Sequence, residues 1–490
     1  MDLTAQAGLT LVAETLMALG TEALVSSELR VRRRQRGHTE FDKLQAIVLL
    51  LAAGGECIED VRKLREDVAL SKLLARPAPS PDALHEFLSL FHDESQESCR
   101  EKGAFIPSEN AALRGLSCVH SELVRRAVRA HNPTTATLDL DATVIESHKR
   151  AALPHKKGGR GYQPTAVLWA PDDLAVADQY RDGNVPAGMH TKQVAQQAFS
   201  VLPQSVQQRR FRGDSACYDE ALLKWLSKEQ IAFTISADIS PSLRSVCMSP
   251  SVTWQVFEDR AHEVVAISEI EFTPGDWHKS ARPLRYVALR FCGKQGRLFS
   301  DGTDTKYLAV VSNREELDAA EIVRWHWEKA GTIEHLHDVT KNDLAARLPP
   351  SGKFGANAAW YRLNLLTYNL LSVLKRHALP ERLRHARPKR LRFELFTVPA
   401  VLRHHARKLT AQLGVSPITA TELITAPRPP ARPASPDSPA PRRCASLARF
   451  FPAPNRPAAA PVCQAGATLS VEKHATLTGP HRLSGGLGRF

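Results

Sequence analysis

One short segment, TLDLDAT at 137–143, constrains both the fold and the chemistry of this chain. Its alternation is typical of a β-strand, with Leu138 and Leu140 on one face and Asp139 and Asp141 on the other. Two carboxylates side by side in a central strand repel each other unless a cation or a proton lies between them. An acid that caps a loop at the end of a strand is the alternative explanation. The segment therefore predicts a strand with an acidic site on one face.

The segments that follow indicate a mixed α/β fold. Strand patterns alternate with helical patterns, and three strands precede the first helix. The predicted strands are 135–145, 165–170, 174–180, 209–213 and 231–236, and the predicted helices between them are 191–202 and 218–228. Strand patterns without helical periodicity then fill 241–311, which predicts a β-rich insertion. Amphipathic helical patterns return at 315–339 and 356–379.

The two ends of the chain differ in composition. Residues 1–130 have apolar side chains at helical spacing, which fits either a helix-turn-helix DNA reader or an ordinary helical bundle. After Thr425 the chain is rich in Pro, Ala and Arg, so we expect a disordered tail that buries too little apolar surface to fold. The net charge is +13, and the region from Arg376 onward carries 19 Lys and Arg against 5 Asp and Glu. This asymmetry predicts a polyanionic partner, most often nucleic acid.

Several other classes of protein and site are not indicated. The eight cysteines form no CxxC pair, which argues against a zinc knuckle or a disulfide framework. The histidines at 326, 335 and 337 lack HExxH spacing, which argues against a zinc site there. The N-terminus has no basic region of a secretory signal, and the longest apolar run, 46–53, is too short to cross a bilayer. We therefore expect a cytoplasmic protein without a membrane segment.

Two further acids, Asp214 and Glu334, occupy positions at which an acidic side chain often binds a ligand. Asp214 follows a short strand and precedes a helix, at the strand end where α/β sheets bind ligands, although a helix N-cap is its ordinary role. Glu334 lies on a predicted helix with Lys341 two turns further along the same face, a spacing that surface ion pairs also produce. Together with the acids of the first strand they fit a two-metal phosphoryl-transfer site, because carboxylate oxygens suit Mg²⁺.

Longer motifs carry a family resemblance. They are GGECIEDVRKLREDVAL (54–70), LDLDATVIE (138–146), KKGGRGYQP (156–164), RDGNVPAG (181–188), FRGDSACYD (211–219), WHWEKAGTIEHLHDVTKND (325–343) and FGANAAWYRLNLLTYNL (354–370). In these motifs, over about residues 1–410, the chain resembles the DDE transposases of bacterial insertion sequences. The likeness is to the IS-four superfamily and, within it, to the IS-thirteen-eighty branch.

The resemblance implies a fold class and domain boundaries. The expected fold is α/β, an RNase H-like catalytic core interrupted by a β-rich insertion, with an N-terminal helical domain and a disordered C-terminal tail. The expected boundaries are 1–130 for a helical DNA-binding domain, 131–240 for the first part of the core, 241–312 for the insertion, 313–410 for the helical remainder of the core and 426–490 for the basic tail.

The resemblance also implies a reaction and its residues. It implies a transposase that binds the terminal inverted repeats of its element, cleaves the DNA and transfers the strand to target DNA with two Mg²⁺ or Mn²⁺ ions. Asp141, Asp214 and Glu334 would be the catalytic metal ligands, with Asp139 in reserve for the first position. We expect a homodimer on paired DNA ends, acting at the bacterial nucleoid. The alternatives are an RNase H-fold nuclease without strand transfer and an inactive DNA-binding relic.

The last catalytic helix departs in part from the superfamily signature of Tyr, Arg, Glu and Lys. The corresponding residues here are Trp327, Ala330, Glu334 and Lys341, so one cation is missing and neighbouring Lys329 is its candidate replacement. Lys341 would hold a DNA phosphate, and the glycine-rich loop at 156–161 either follows a phosphate backbone or is an ordinary surface loop. The candidate DNA contacts are Lys341, Lys329, Trp327, Lys156, Lys157, Arg160, Arg32, Arg33 and Arg34.

Overall fold

The computed structural model describes residues 2–29, 31, 37–99, 103–275, 284–294, 299, 302–405 and 408–415. Three of the candidate DNA contacts, Arg32, Arg33 and Arg34, and the predicted tail at 426–490 lie outside the described residues.

The N-terminal region is helical after a short first strand, β1 (Asp2–Thr4). Its helices are α1 (Leu9–Ala18), α2 (Thr21–Glu28), α3 (Glu40–Ala53), α4 (Val61–Glu66), α5 (Val68–Leu74), α6 (Pro81–Ser89), α7 (Glu94–Ser98) and α8 (Ala111–Val128). Side-chain caps explain several of the starts: Thr39 and Asp42 form a capping box at α3, and the Ser80 hydroxyl accepts the Ala83 N–H at α6. The apolar faces of these helices belong to the same hydrophobic core as the sheet described next.

The strands that follow fall into one large sheet and one small one. In chain order they are β2 (Thr135–Ala142), β3 (Ile145–Glu146), β4 (Leu153–Pro154), β5 (Arg160–Tyr162), β6 (Thr165–Trp169), β7 (Leu174–Gln179), β8 (Gln208–Gly213), β9 (Ala232–Ala237), β10 (Gln255–Asp259), β11 (Glu263–Ile270), β12 (Arg285–Gly293) and β13 (Thr305–Ser312). The large sheet has the order β10-β11-β12-β13-β9-β8-β2-β6-β7, and β3, β5 and β4 form the small sheet.

The large sheet combines an antiparallel half with a parallel centre. Strands β2, β6 and β7 form an antiparallel meander, while β8 lies parallel to β2 and β9 lies parallel to β8. Helix α9 (Thr191–Val201) connects β7 to β8, and α10 (Glu220–Lys228) connects β8 to β9. These elements match the predicted strands and helices to within a few residues at each end.

The segment expected as an insertion continues the same sheet. After α11 (Pro241–Cys247), strands β10 to β13 form an antiparallel series, and β13 pairs with β9 in the register Val311 to Ile235. The strand character expected for 241–312 is therefore present, and its strands extend the central sheet at one edge.

The helical pattern at 315–339 forms two helices with a break between them. Helix α12 (Ala319–Trp327) ends in a 3₁₀ turn at Glu328–Gly331, and α13 (Ile333–Asp343) begins after Thr332. Gly331 lowers helix propensity in this turn, and the Arg212 guanidinium donates to the Trp325 carbonyl at 2.8 Å. The break places Glu334 in the first turn of α13.

Helix α14 (Phe354–Ala378) is the centre of the hydrophobic core. Every residue from Phe354 to Leu374 is buried, because helices α1, α3, α6 and α8 and strand β7 all pack around it. Its buried polar side chains have specific partners. The Asn369 amide accepts the Ala175 N–H at 2.7 Å and donates to the Ala175 carbonyl at 2.8 Å, which fastens α14 to β7.

The end of the described chain differs from the helical expectation for 313–410. After α15 (Pro388–Leu391), strands β14 (Ala400–His405) and β15 (Lys408–Leu413) form a hairpin that pairs with β1. The alternating burial of Ala400 and Leu402 explains the strand, since alternation is a two-residue period. The two ends of the described fold are thereby joined.

None of the described helices is by itself long and apolar enough to cross a membrane. Helices α1 and α2 reach the required length and composition only as a pair, and they are bent by 63° relative to each other. Both contribute buried residues to the core, including Leu9 and Val25.

We expect Arg362→Met in α14 to destabilise the fold by about 3–5 kcal/mol. The Arg362 guanidinium donates to both Asp178 oxygens, at 2.8 and 3.1 Å, and to Glu109 at 2.6 Å, so its loss leaves the buried Asp178 carboxylate unpaired. The measurement is urea unfolding against the control Arg384→Met, which removes an exposed arginine paired with Glu381. Equal stability of the two variants would contradict the role of Arg362 as the counter-ion of buried Asp178.

Candidate active site

The register of β2 and β8 brings the predicted strand acids together. These parallel strands pair Asp139 with Arg212 and Leu140 with Gly213, so the next position along each strand places Asp141 beside Asp214. Neighbouring strands lie about 4.8 Å apart, and residues in register share a face of the sheet. Moving two residues along both strands leads from the pair Asp139 and Arg212 to the pair Asp141 and Asp214. The first pair joins an acid to a base, and the second places two acids together.

Asp139 forms a buried ion pair with Arg212. Its side chain is fully buried and accepts two hydrogen bonds from the Arg212 guanidinium, at 2.6 and 2.9 Å. The Thr332 hydroxyl donates to it as well. The reserve assignment of Asp139 as a metal ligand is therefore not supported, because both of its oxygens already have partners.

Arg212 also fixes the helical segment that carries Glu334. The guanidinium donates to the Trp325 carbonyl and to the Glu328 carboxylate, each at 2.8 Å. With the contact from Thr332 to Asp139, these bonds hold both sides of the turn between α12 and α13 against the centre of the sheet. The position of the α13 N-terminus thus depends on a side chain from β8.

Glu334 is exposed in the first turn of α13, on the side that faces β2. Two residues on that side of the helix contact β2 and the loop after it: His337 Nε2 lies 3.7 Å from Asp141 Oδ2, and Lys341 Nζ donates to Thr143 Oγ1 at 2.9 Å. Glu334 lies three residues before His337 and seven before Lys341, so all three share one face. Within the described residues, no three His, Cys, Asp or Glu side chains are grouped closely enough to hold a metal ion.

Asp141 and Asp214 have raised pKa values for related reasons. Burial raises the pKa of Asp141, and burial together with the negative charge of Asp141 raises the pKa of Asp214. The Asp141 side chain is 18% exposed, so water and a ligand can still reach it. Two adjacent carboxylates that resist ionisation together form a suitable oxygen ligand set for a divalent cation.

Four of the predicted cationic DNA contacts lie around this carboxylate pair. Lys329, Lys157 and Lys341 lower the pKa of Asp141, and Lys329 and Lys156 lower that of Asp214, in each case against the larger effect of burial. Lys156 and Lys157 come from the exposed tip of the β4–β5 hairpin, and Lys329 comes from the 3₁₀ turn. Segments distant in sequence therefore surround the carboxylates with positive charge.

Two other candidate contacts have structural partners. Arg160 donates to the backbone carbonyls of Ala152 and Arg150, at 2.8 and 3.0 Å, and so closes its own hairpin. The Trp327 ring packs against Phe257 at 5.4 Å between centroids, and the Arg260 guanidinium lies 4.9 Å from its ring centre. Trp327 is therefore anchored to β10 and lies on a different helix from Glu334.

The backbone around Asp214 is tightly packed on one side and open on the other. A side chain at Gly213 would come within 2.7 Å of Cys217 Sγ, so glycine is required there. The Asp214 carboxylate accepts the Ala216 N–H at 3.1 Å and so caps a 3₁₀ turn at Ser215–Cys217, whereas Asp219 caps the predicted helix α10. Beside it lies a cleft of about 610 Å³ lined by Ser236, His326 and Trp327, among others.

The roles of Arg212, Thr332 and His337 are not predicted from the sequence. Arg212 had a detectable signal, because Arg212 and Asp214 have the same two-residue spacing as Asp139 and Asp141. Thr332 and His337 had none, since their contacts with Asp139 and Asp141 bridge almost two hundred residues. Their roles become visible only when α13 is placed against β2.

Comparison with known proteins gives one family match. Residues 1–428 match the family model described as "Transposase DDE domain group 1". Among solved structures, the chain is similar to one described as a cryo-EM structure of the piggyBac transposase synaptic complex with hairpin DNA. That similarity has a TM-score of 0.44 and 12% sequence identity, and covers 78% of this chain and 80% of that one. No curated protein matches the sequence.

We expect Asp139→Asn and Asp141→Asn to affect stability in opposite ways in the metal-free protein. Asp139→Asn should cost about 3–5 kcal/mol, because it removes the buried counter-ion of Arg212 and leaves the exposed Glu328 carboxylate as its charged partner. Asp141→Asn should leave stability unchanged or raise it, because it removes one of two crowded carboxylates. Because the pKa of Asp141 is raised in the folded state, the stability that its carboxyl group contributes is complete below the ordinary pKa of 3.8 and is lost as the pH rises through the folded pKa. The advantage of Asp141→Asn should therefore grow over that pH range.

Urea unfolding in a chelator at several pH values measures both effects. A loss of stability in Asp141→Asn as large as that in Asp139→Asn would contradict the division between a structural pair and a ligand pair.

Proposed function

The chain belongs to the DDE transposase family, and we propose that it cleaves DNA at the terminal inverted repeats of a mobile element and transfers the cut strand to target DNA. The observation that carries the proposal is the pair Asp141 and Asp214, adjacent at the ends of parallel strands and surrounded by lysines. We further propose the IS-thirteen-eighty branch of the IS-four superfamily, on the motifs of the sequence.

The sheet topology supports an RNase H-like core. An antiparallel meander, β2, β6 and β7, is followed by two parallel strands, β8 and β9, that are reached through helices. In this arrangement the first and fourth strands of the core lie side by side, which is where the two aspartates meet. We propose Glu334 as the third acid. It lies on helix α13, which follows the added strands β10 to β13 in the chain.

The chemistry of the three acids suits Mg²⁺ or Mn²⁺, and binding would bring the carboxylates closer together than they lie in this structure. Asp141, Asp214 and Glu334 would hold the ions, because carboxylate oxygens are the ligands these ions prefer. Two such ions, when bound, activate the attacking oxygen and neutralise the charge that develops on the leaving oxygen. Burial raises the pKa of both Asp141 and Asp214, and the charge of Asp141 adds to the shift at Asp214, so a bound cation would stabilise the ionised form of each carboxylate.

The side chains of the protein would position the DNA. In the first step water attacks the phosphodiester at the element end, and the 3′ oxygen leaves as a hydroxyl. In the second step that 3′-hydroxyl attacks a phosphodiester of target DNA and releases a new strand end. Lys329, Lys341 and the hairpin lysines would hold the flanking phosphates, and the cleft beside Asp214 gives room for the strand.

The surroundings of Ala330 favour an active enzyme over a DNA-binding relic. Ala330 replaces the cation of the family signature, but the adjacent residue Lys329 supplies a positive charge. This charge lowers the pKa of both Asp141 and Asp214 against the effect of burial. A strand-transferring enzyme must handle both element ends, so we propose a homodimer on paired ends, acting in the cytoplasm at the nucleoid. A nuclease that only cuts is the second candidate, and the assay described next separates the two.

We expect Asp141→Asn, Asp214→Asn and Glu334→Gln each to reduce cleavage by at least about a hundredfold. Each removes a negative oxygen from the proposed ligand set, while the basic surface that binds DNA is unchanged. The assay incubates the protein with Mg²⁺ or Mn²⁺, labelled inverted-repeat DNA and a plasmid target, and resolves nicked from strand-transferred products.

The matched control is Glu86→Gln, an exposed glutamate on α6, which should retain full activity. Nicking without joined product would favour the nuclease. DNA binding by the wild-type protein without cleavage in either metal would establish the relic.

We expect Lys329→Ala and Lys341→Ala each to weaken DNA binding and to lower the salt slope of the binding constant by about one. Each removes a single phosphate contact, so the loss should be similar for specific and unrelated DNA. The control Lys228→Ala removes an exposed lysine at the end of α10 and should leave the slope unchanged. The measurement is fluorescence anisotropy at several salt concentrations, and an unchanged slope for both site lysines would contradict their role.

A further inference from the structure

His337 is a buried imidazole beside Asp141 that makes no hydrogen bond of ordinary geometry, although the backbone of Asp141 acts on its ring. Only 5% of the residue is exposed, and neither ring nitrogen has a partner within hydrogen-bond distance. Burying such polar atoms unpaired costs free energy, of the order of 1–3 kcal/mol for each group. Buried polar groups that lack partners are uncommon in folded proteins and call for a specific reason.

The environment of the ring points to Asp141 as that reason. His337 Nε2 lies 3.7 Å from Asp141 Oδ2, so a shift of less than about 1 Å would bring the two atoms to ordinary hydrogen-bond distance. A proton on Nε2 is the favourable arrangement, since an unprotonated nitrogen would direct its lone pair at the carboxylate.

His337 is also placed to follow the third acid. It lies one helical turn after Glu334 on α13, while Asp141 lies on β2, so a bond between His337 and Asp141 connects the two elements that carry proposed ligands. Lys341, one turn further, already fixes the same helix to Thr143. The imidazole thus contacts one of the proposed ligands from the helix that carries another.

We propose that His337 is a positioning residue, which donates a hydrogen bond from Nε2 to Asp141 and so orients that carboxylate to bind a divalent cation. The inference rests on the proposed function, because it assumes that Asp141 is a metal ligand. A carboxylate has two oxygens, and a donor that holds one of them directs the other towards the cation. Hydrogen bonds of this kind to ligating groups commonly change metal affinity by about ten- to a hundredfold.

The test measures Mn²⁺ binding to the full-length protein by the electron paramagnetic resonance signal of free Mn²⁺. We expect His337→Leu, which cannot donate, to weaken binding by about ten- to a hundredfold. His337→Gln retains an N–H near the position of Nε2 and should bind Mn²⁺ within a few-fold of wild type. The matched control is His335→Leu, an exposed histidine on the same helix, which should bind as wild type does.

Two further measurements separate positioning from other roles. Thermal unfolding in a chelator should show His337→Leu as stable as wild type or more so, because the substitution removes an unpaired buried imidazole. Electron spin echo modulation of the Mn²⁺ complex should show the same nitrogen coupling in wild type and in His337→Gln, since the ring donates to Asp141 and does not bind the metal. A coupling from His337 would be present in wild type and absent from His337→Gln. Such a coupling would overturn the proposal in favour of direct ligation.

The remaining outcomes are distinguishable. If wild type and His337→Leu bind Mn²⁺ equally while Asp141→Asn does not bind it, the positioning role of His337 is wrong and the proposed metal site stands. If the wild-type protein binds no Mn²⁺ at all, the proposed metal site fails and this inference fails with it. If His337→Leu does not fold, His337→Gln decides, since binding a hundredfold weaker than wild type despite the retained donor would overturn the proposal.

Discussion

The buried ion pair between Asp139 and Arg212 is the interaction on which the candidate site depends. It fixes the register of two parallel strands, so that Asp141 and Asp214 become neighbours. A slip of one residue would turn every side chain of one strand to the opposite face and leave both charges buried without partners. Removing two charges from water is expensive, so the pair contributes more to a unique register than to overall stability.

The same guanidinium connects the sheet to the helix that bears Glu334. The periodicity of 315–339 predicts one continuous helix. The bond from Arg212 to the Trp325 carbonyl lies just before the turn that divides this segment into α12 and α13. The price of this arrangement is a crowded site, in which two carboxylates with raised pKa values lie side by side. Apolar burial elsewhere in the fold offsets this unfavourable free energy, chiefly along α14, whose residues from Phe354 to Leu374 are all buried.

The sequence was most informative where local pattern decides structure. The alternation in TLDLDAT predicted the strand and its acidic face, and the position of Asp214 after a short strand predicted its place at a strand end. The family resemblance put Asp141 first and kept Asp139 in reserve, but the sequence did not show the partner that occupies Asp139, because Arg212 lies 73 residues away. The hairpin at 400–413 was missed for a similar reason, since its partner β1 lies at the opposite end of the chain.

The distribution of charge shows how residues 1–375 could attract the DNA that we propose as the partner. Of its 65 Lys and Arg and 52 Asp and Glu, the region from Arg376 onward holds 19 and 5, which leaves 46 basic and 47 acidic residues before it. The part of the chain that carries the proposed catalytic acids is therefore almost neutral, and only local clustering can make its surface positive. Lys156, Lys157, Lys329 and Lys341 provide that clustering around two carboxylates. At physiological ionic strength charges act over about 8 Å, so these lysines would be felt by a phosphate close to the site and hardly at all by distant DNA.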